Sequence, residues 1–292
     1  MTTPVGDPSP RSYVALDIGG TKLAAAIVTT EGSIVVSDRL PTPARDPWAA
    51  VAALVSRVVA ATPDLQPMAL GAGCGGPMAR GGDTVSPLHI PAWRDFPLRS
   101  ALADLVGVPV AVDNDAKALA LGEGWLGAAK GLRDYMAVVV GTGVGAGLVI
   151  DGRLVDGRSG NAGHIGHLIV EEDGLECRCG AHGCLEAYLS GSAIEARTGQ
   201  SARQASTTTI LDAGRRFGRA VASVAALTSL ERVVVAGSVA WGWGDEFFTA
   251  ARDEFAARSR LSFTQTIDIV AAGPRAGLIG AAALARRAVG GD

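Results

Sequence analysis

Four cysteines in 292 residues are too few for a disulfide framework, and cysteine usage of this kind fits a reducing compartment. No run of about 20 apolar residues exists, which excludes a helical membrane span. The opening segment MTTPVGDPSPRS has no apolar core of the kind a secretory signal needs, and residues 1–12 are expected to form a disordered tail. The expected location is the cytoplasm. The formal net charge is −3, so no basic face is implied and nucleic acid is not an expected partner on charge grounds. Lysine is scarce relative to arginine, which reflects genome composition more than function. No long linker or low-complexity segment divides the chain. The Walker A spacing GxxxxGK[ST] is also missing, which removes P-loop nucleotide chemistry.

What is present is a large apolar fraction, 48%, on a length that suits two domains or one large α/β unit. Tyr13 to Asp17 reads as a buried strand followed by the turn Gly19-Gly20. Lys22 to Val28 and Ser33 to Arg39 continue it as antiparallel hairpins. Pro47 opens a helix to about Ala61, with Val51, Leu54, Val55 and Val58 on one face. Short strands follow at Met68–Gly71 and Val108–Val112, with a helix at Leu98–Val106 between them. Asp113 or Asn114 then caps a helix to about Leu126. The pattern restarts with a strand at Tyr135–Val140, the turn GTGVG, and strands at Gly147–Ile150 and Arg153–Val155. A strand at Arg232–Ala236, a helix at Asp245–Arg258, a strand at Ile267–Ala271 and a closing helix at Ala276–Val289 complete the chain. ALDIGGTKLAAAIVTTEGSIV and VVVGTGVGAGLVIDGRLV share the order strand, glycine turn, strand, tight turn, strand. The chain is therefore read as a duplicated α/β architecture with a nucleotide between its lobes.

Four constellations carry chemistry. In DIGGTK, Asp17 to Lys22, a carboxylate at a strand end precedes glycines whose N–H groups can approach phosphate. Thr21 offers a hydroxyl, Lys22 a charge, and Asp17 a ligand for Mg²⁺. An ordinary Gly-Gly hairpin turn is the plainer alternative. Gly141-Thr142-Gly143-Val144-Gly145 resembles a dinucleotide fingerprint, but a strand follows it where that fingerprint needs a helix; it reads instead as a second phosphate clamp. In VDNDAKALALGE, carboxylates meet a helix start, where capping explains one of them and Asp115 is the candidate general base. Finally, Cys177, Cys179 and Cys184 fall within eight residues, with His167 ten residues upstream of the first. Three thiolates and an imidazole make a closed, structural zinc site, and the glycine-rich run is too polar for packed core cysteines. Cys74 is left over as a small loop or core thiol.

The combination DIGGTK, DNDA, GTGVGAG, SGNAGHIGH, CRCGAHGCLEAYLSG and VVVAGSV, in this order over nearly the whole chain, resembles a sugar kinase of the ROK family (repressors, open reading frames and kinases). That resemblance implies a two-lobed actin-like ATPase (ribonuclease H-like) α/β fold with a cleft between the lobes. The small lobe would span 13–113 and the large lobe 114–275, and a C-terminal helix at 276–292 would pack back on the first. It implies ATP and Mg²⁺ as cosubstrate and cofactor, structural Zn²⁺, a hexose phosphorylated at its 6-hydroxyl, and a homodimer or homotetramer. By the same resemblance Asp115 is the base and Asn114 a sugar-binding amide. Gly75, Gly76, His164, His167 and Glu186 line the sugar. Gly20, Thr21, Thr142 and Gly143 match the phosphate loops, and Gly237 and Ser238 the adenosine-binding turn. His167, Cys177, Cys179 and Cys184 are the zinc ligands.

One departure stands out. The family's G-E-x-G-H is here Gly163-His164-Ile165-Gly166-His167, so an imidazole replaces a carboxylate. A carboxylate only accepts hydrogen bonds, whereas neutral imidazole accepts one and donates one. The expectation is that His164 donates to a carbonyl such as the acetamido oxygen of N-acetylglucosamine or N-acetylmannosamine, with binding of plain hydroxyls (a glucokinase) as the alternative. A repressor is disfavoured because only about a dozen residues, with Pro4, Pro8 and Pro10 among them, precede the first glycine motif. A non-catalytic sugar sensor is disfavoured by Asp115 and the paired phosphate turns. Polyphosphate as donor would need a basic track that the scattered Lys22, Lys117, Lys130 and Arg133 do not make.

Overall fold

The computed structural model describes residues 10–291; the expected tail lies outside the described residues as far as residue 9. The first strand, β1, runs Arg11–Ile18, so it starts two residues before the expected Tyr13, and Ser12 is fully buried. With β2 (Lys22–Thr29) and β3 (Ile34–Pro41) it forms an antiparallel meander. β4 (Gln66–Cys74) and β5 (Val110–Asn114) extend the sheet in parallel, giving the order β3-β2-β1-β4-β5.

Alternation along β1 explains its unbroken apolar run. Val14, Leu16 and Ile18 pack with Val51, Leu54, Val55 and Val58 of α1 (Pro47–Ala60), whereas Tyr13 and Ala15 face Ala281, Ala282 and Ala285 of the last helix, α8 (Ala276–Ala288). Side chains two apart share a face, so a strand covered on both faces is apolar throughout.

The second sheet repeats the plan. β6 (Tyr135–Val140), β7 (Val144–Ile150) and β8 (Arg153–Leu154) form the meander, and β9 (Arg232–Ala236) and β10 (Asp268–Ala271) add in parallel, giving β10-β9-β6-β7-β8. Met136, Val138 and Val140 pack on one face with Phe217 and Val221 of α6 (Thr207–Thr228) and Phe247 of α7 (Ser238–Arg258). Tyr135 and Ala137 face Leu119 and Ala120 of α3 (Asp115–Trp125) on the other. The helices α3 and α8 meet between the two sheets. They approach closely because both carry glycine there: a Cβ on Gly122 would fall 2.7 Å from the Gly280 nitrogen, and one on Gly71 of β4 only 1.9 Å from the Ala281 oxygen. The remaining helices are α2 (Leu98–Val106), α4 (Glu186–Leu189) and α5 (Gly191–Thr198).

Several boundaries differ from expectation. β5 begins at Val110, not Val108; Pro109 lacks an N–H and contributes only its carbonyl, to Leu70. β7 begins at Val144, not Gly147, so the turn is only Gly141–Gly143. The later glycines lie inside the strand because α3 presses on it: a Cβ on Gly147 would be 2.5 Å from the Ala116 oxygen. α7 starts at Ser238, seven residues before the expected Asp245, and is broken by non-helical Gly244. α6 had no sequence expectation at all. Ser206 caps it by accepting the Thr209 N–H, and Ala213, Phe217, Ala220 and Val221 make its buried face. No helix among the described residues is long and apolar enough to cross a membrane.

Candidate active site

The loops at one end of both sheets open onto a cavity of about 540 Å³. It brings together every residue the sequence singled out except the cysteines: Asp17, Gly20, Thr21, Lys22, Gly75, Gly76, Asn114, Asp115, Thr142, Gly143, His164, His167, Glu186, Gly237 and Ser238. The β1–β2 turn supplies one glycine wall and the β6–β7 turn the other. Gly237, at φ 111°, caps α7 where any Cβ would strike the Val140 oxygen at 2.2 Å, so only glycine fits this strand-to-helix corner.

The DNDA segment divides its tasks. Asn114 caps α3, its Oδ1 accepting the Ala116 N–H at 3.0 Å, which leaves its Nδ2 free as a donor toward the cavity. Asp115 is the first residue of α3, and burial raises its carboxyl above the ordinary range. Asp17 is pushed up to about 6, by burial first and then by the Asp115 charge, with Lys22 opposing. Asp113 turns away to pair with Lys117 at 2.9 Å, and Asp156 pairs with the same nitrogen at 2.6 Å. Lys117 is 2% exposed, so it is a structural cation tying α3 to the loop after β8 and forms no part of a surface track.

The zinc quartet sits behind His167. A hairpin closed by Cys177 N–H to Ala181 at 2.8 Å carries two of the thiols, and Gly183 (φ 75°) leaves no room for a Cβ, which would be 1.7 Å from the Glu171 oxygen. A tetrahedron with zinc–sulfur bonds of about 2.3 Å has edges of about 3.8 Å. The Cys179 and Cys184 sulfurs are 3.7 Å apart, Cys177 Sγ is 3.8 Å from His167 Nδ1, and all four ligand atoms lie within 4.8 Å of one another. The donor set and its spacing fit a closed structural zinc site.

His167 turns Nδ1 toward the thiols, so binding zinc through it would leave the ring proton on Nε2, and the ring also lines the cavity. His164 has the opposite polarity. Its Nδ1 lies 3.0 Å from the Asn161 carbonyl oxygen, and a carbonyl only accepts, so the neutral ring carries its proton on Nδ1. The cavity-facing Nε2, 3.8 Å from where a Gly76 Cβ would be, is therefore an acceptor. That contact favours an acceptor at the cavity, the polarity of a glutamate, over the donor expected of His164. Asn161 in turn grips Met78 from both sides, accepting its N–H at 3.3 Å and donating to its oxygen at 3.1 Å, which anchors the His164 loop. Long-range ¹H–¹⁵N correlation of the zinc-loaded protein at neutral pH should show His164 protonated on Nδ1; protonation on Nε2 would refute the assignment. Glu186 is immobilised by the Val144 N–H at 2.8 Å.

His89, Trp241 and Arg275 are among the lining residues that had no sequence expectation. His89 reaches in from the loop before α2. Trp241, one turn along α7 from Gly237, is partly exposed and donates Nε1–H to the Ala272 oxygen at 3.2 Å, and Arg275 also lines the cavity. His89 and Arg275 lie in no motif the sequence offered, whereas Trp241 follows the VVVAGSV turn by one helical turn.

The sequence model of the ROK family matches residues 13–288. A glucokinase of Streptomyces coelicolor is 41% identical over 181 residues, 62% of this chain; the match spans 57% of that relative's length. An N-acetylmannosamine kinase of Escherichia fergusonii is 36% identical over 297 residues, covering 94% of this chain and 98% of that one. Among solved structures, a ROK family glucokinase from Streptomyces griseus in complex with glucose and AMPPNP is similar at a TM-score of 0.81 and 31% identity, with 94% of this chain and 99% of that chain covered.

Proposed function

The chain belongs to the ROK family, and from that premise we propose that it transfers the γ-phosphoryl group of ATP to the 6-hydroxyl of a hexose, with an N-acetylhexosamine, N-acetylmannosamine or N-acetylglucosamine, as acceptor. The observation that carries this reading is the convergence of Asp115, Asn114, His164, His167 and Glu186 at one end of a cavity whose middle is walled by two glycine turns. Likeness to an N-acetylmannosamine kinase over 94% of the chain supports the acceptor class. Glucose is the second reading, favoured by the 41% identity to a glucokinase.

In this reading Asp115 takes the proton of the attacking hydroxyl. Asn114 Nδ2 and His167 Nε2 donate to the sugar, and His164 Nε2 and Glu186 accept from it; an acetamido group offers His164 its N–H. The backbone N–H groups of the turns at Gly20 and Gly143, with Thr21 and Thr142, cradle the triphosphate. Asp17 is the residue that would hold the accompanying magnesium, directly or through water, and charge neutralisation is what that cation supplies. Trp241, Gly237 and Ser238 take the adenosine end. Positioning and electrostatics account for most of the rate, because the phosphoryl transition state is loose. The proposal includes a homodimer or homotetramer working in the cytoplasm, where reduced thiols can hold zinc.

The test is coupled ADP release with ATP and Mg²⁺ against glucose, mannose, N-acetylglucosamine, N-acetylmannosamine, allose and fructose. An N-acetylated sugar should give the highest kcat/KM. Preference for glucose would replace the acceptor class, and no turnover by zinc-containing protein would sink the kinase reading.

A further inference from the structure

The glycine turns that the sequence assigns to phosphate have a second occupant. A Cβ on Gly20 would fall 2.4 Å from His89 Cβ, and one on Gly143 would fall 3.0 Å from His89 Nε2. The imidazole therefore spans from the first glycine turn to the second, between the two sheets. The same point beside Gly143 is 3.0 Å from Glu186 Oε2, which places the ring tip at the border between the triphosphate cradle and the sugar-facing carboxylate.

The loop that carries His89 is braced. Leu88 N–H donates to the Gly76 oxygen at 3.2 Å, and the Arg94 guanidinium donates to the Pro87 and Ile90 carbonyls, each at 3.2 Å. Trp93 stacks on Phe96 at 4.6 Å beneath it. Yet among the described residues no protein group hydrogen-bonds either ring nitrogen of His89. A half-buried imidazole held by a rigid loop and left without a protein partner is preorganised for a ligand atom. Burial lowers its pKa, opposed by Glu186 and assisted by Arg178, and a neutral imidazole still has one N–H to donate.

We infer that His89 is a catalytic residue that donates a hydrogen bond from its ring to an oxygen of the phosphoryl group in transit between the triphosphate and the 6-hydroxyl. This rests on the kinase reading above, since the transferring group must cross between the two turns to reach the oxygen that Asp115 deprotonates. No bond to His89 forms or breaks; its donor follows the charge on the equatorial oxygens, as positioned donors do in other transition states.

The experiment compares His89→Ala, His89→Phe and His89→Gln, each checked for zinc content and Tm, with ATP and the best acceptor of the wild-type protein. His89→Ala should lower kcat by about 100-fold, the effect of losing one positioned donor, while KM for ATP and for the sugar stay within about threefold of wild type. His89→Gln, whose amide can donate from the position of the ring tip, should recover part of kcat. His89→Phe, which keeps the bulk between the turns but has no donor, should not. Recovery by Phe, or kcat unchanged in all three, would reduce His89 to a spacer, and a rise confined to the sugar KM would make it a sugar contact; either result overturns the inference. Absence of turnover in the wild type would instead indict the kinase reading.

Discussion

Asp115→Asn should lower kcat by about 10³-fold, within the range for loss of a general base, and leave Tm and zinc content unchanged. The substitution is isosteric, and Asn114, the cap of α3, is untouched. The pH profile tests the same assignment. Asp115 works as a base only when ionised, and burial raises its pKa, so the acid limb of kcat/KM should lie above the ordinary carboxylate range in the wild-type protein. The limb belongs to the coupled pair, because the Asp115 charge also helps hold Asp17 up at about 6. Removing that charge should move the residual limb of Asp115→Asn to lower pH. Retention of most activity, or a limb that does not move, would take Asp115 out of the base role.

Cys184→Ser should strip the protein of zinc and lower both Tm and sugar phosphorylation. Structural zinc contributes on the order of 10 kcal/mol in small metal-folded peptides, and here the metal would hold together His167 and a hairpin that has little core of its own. Cys184 is 1% exposed and pairs with Ile169 across an isolated bridge, so its loss should loosen residues 168–185 as a unit. Because His167 lines the cavity, the KM for sugar should rise by at least about tenfold, the cost of one hydrogen bond to a partly buried donor, whereas the KM for ATP moves little. Elemental analysis is expected to give close to one zinc per chain before substitution and none after. Unchanged Tm and activity in the metal-free variant would show that the hairpin stands without the ion.

How much of this was legible in the sequence varies with how local each feature is. The meander–turn–meander repeat could be read because hairpins are short-range and the alternation of β1 and β6 is dictated by burial on both faces. The later start expected for β7 was wrong because glycine usually signals a turn, whereas Gly147 is demanded by Ala116 of α3. The helix α6 carries an amphipathic pattern, Ala213, Phe217 and Val221, between the zinc block and β9, without a flanking glycine or proline signal to set its bounds. Asp113 looked like half of a carboxylate pair and is instead committed to Lys117, one turn along α3.

The sequence by itself pointed to the zinc quartet, the two glycine turns and a cap at Asp113 or Asn114 ahead of Asp115. Each depends on residues a few positions apart, so spacing and side-chain chemistry suffice to specify them. The tertiary structure alone fixed the loop in which the Asn161 carbonyl meets His164 Nδ1, by clasping Asn161 to Met78. It alone placed His89 between Gly20 and Gly143, positions far from His89 in sequence and on different sheets. The Asn161–Met78 clasp and the steric room at His89 arise between segments that only folding brings together, and a lone histidine carries no local pattern that could announce either.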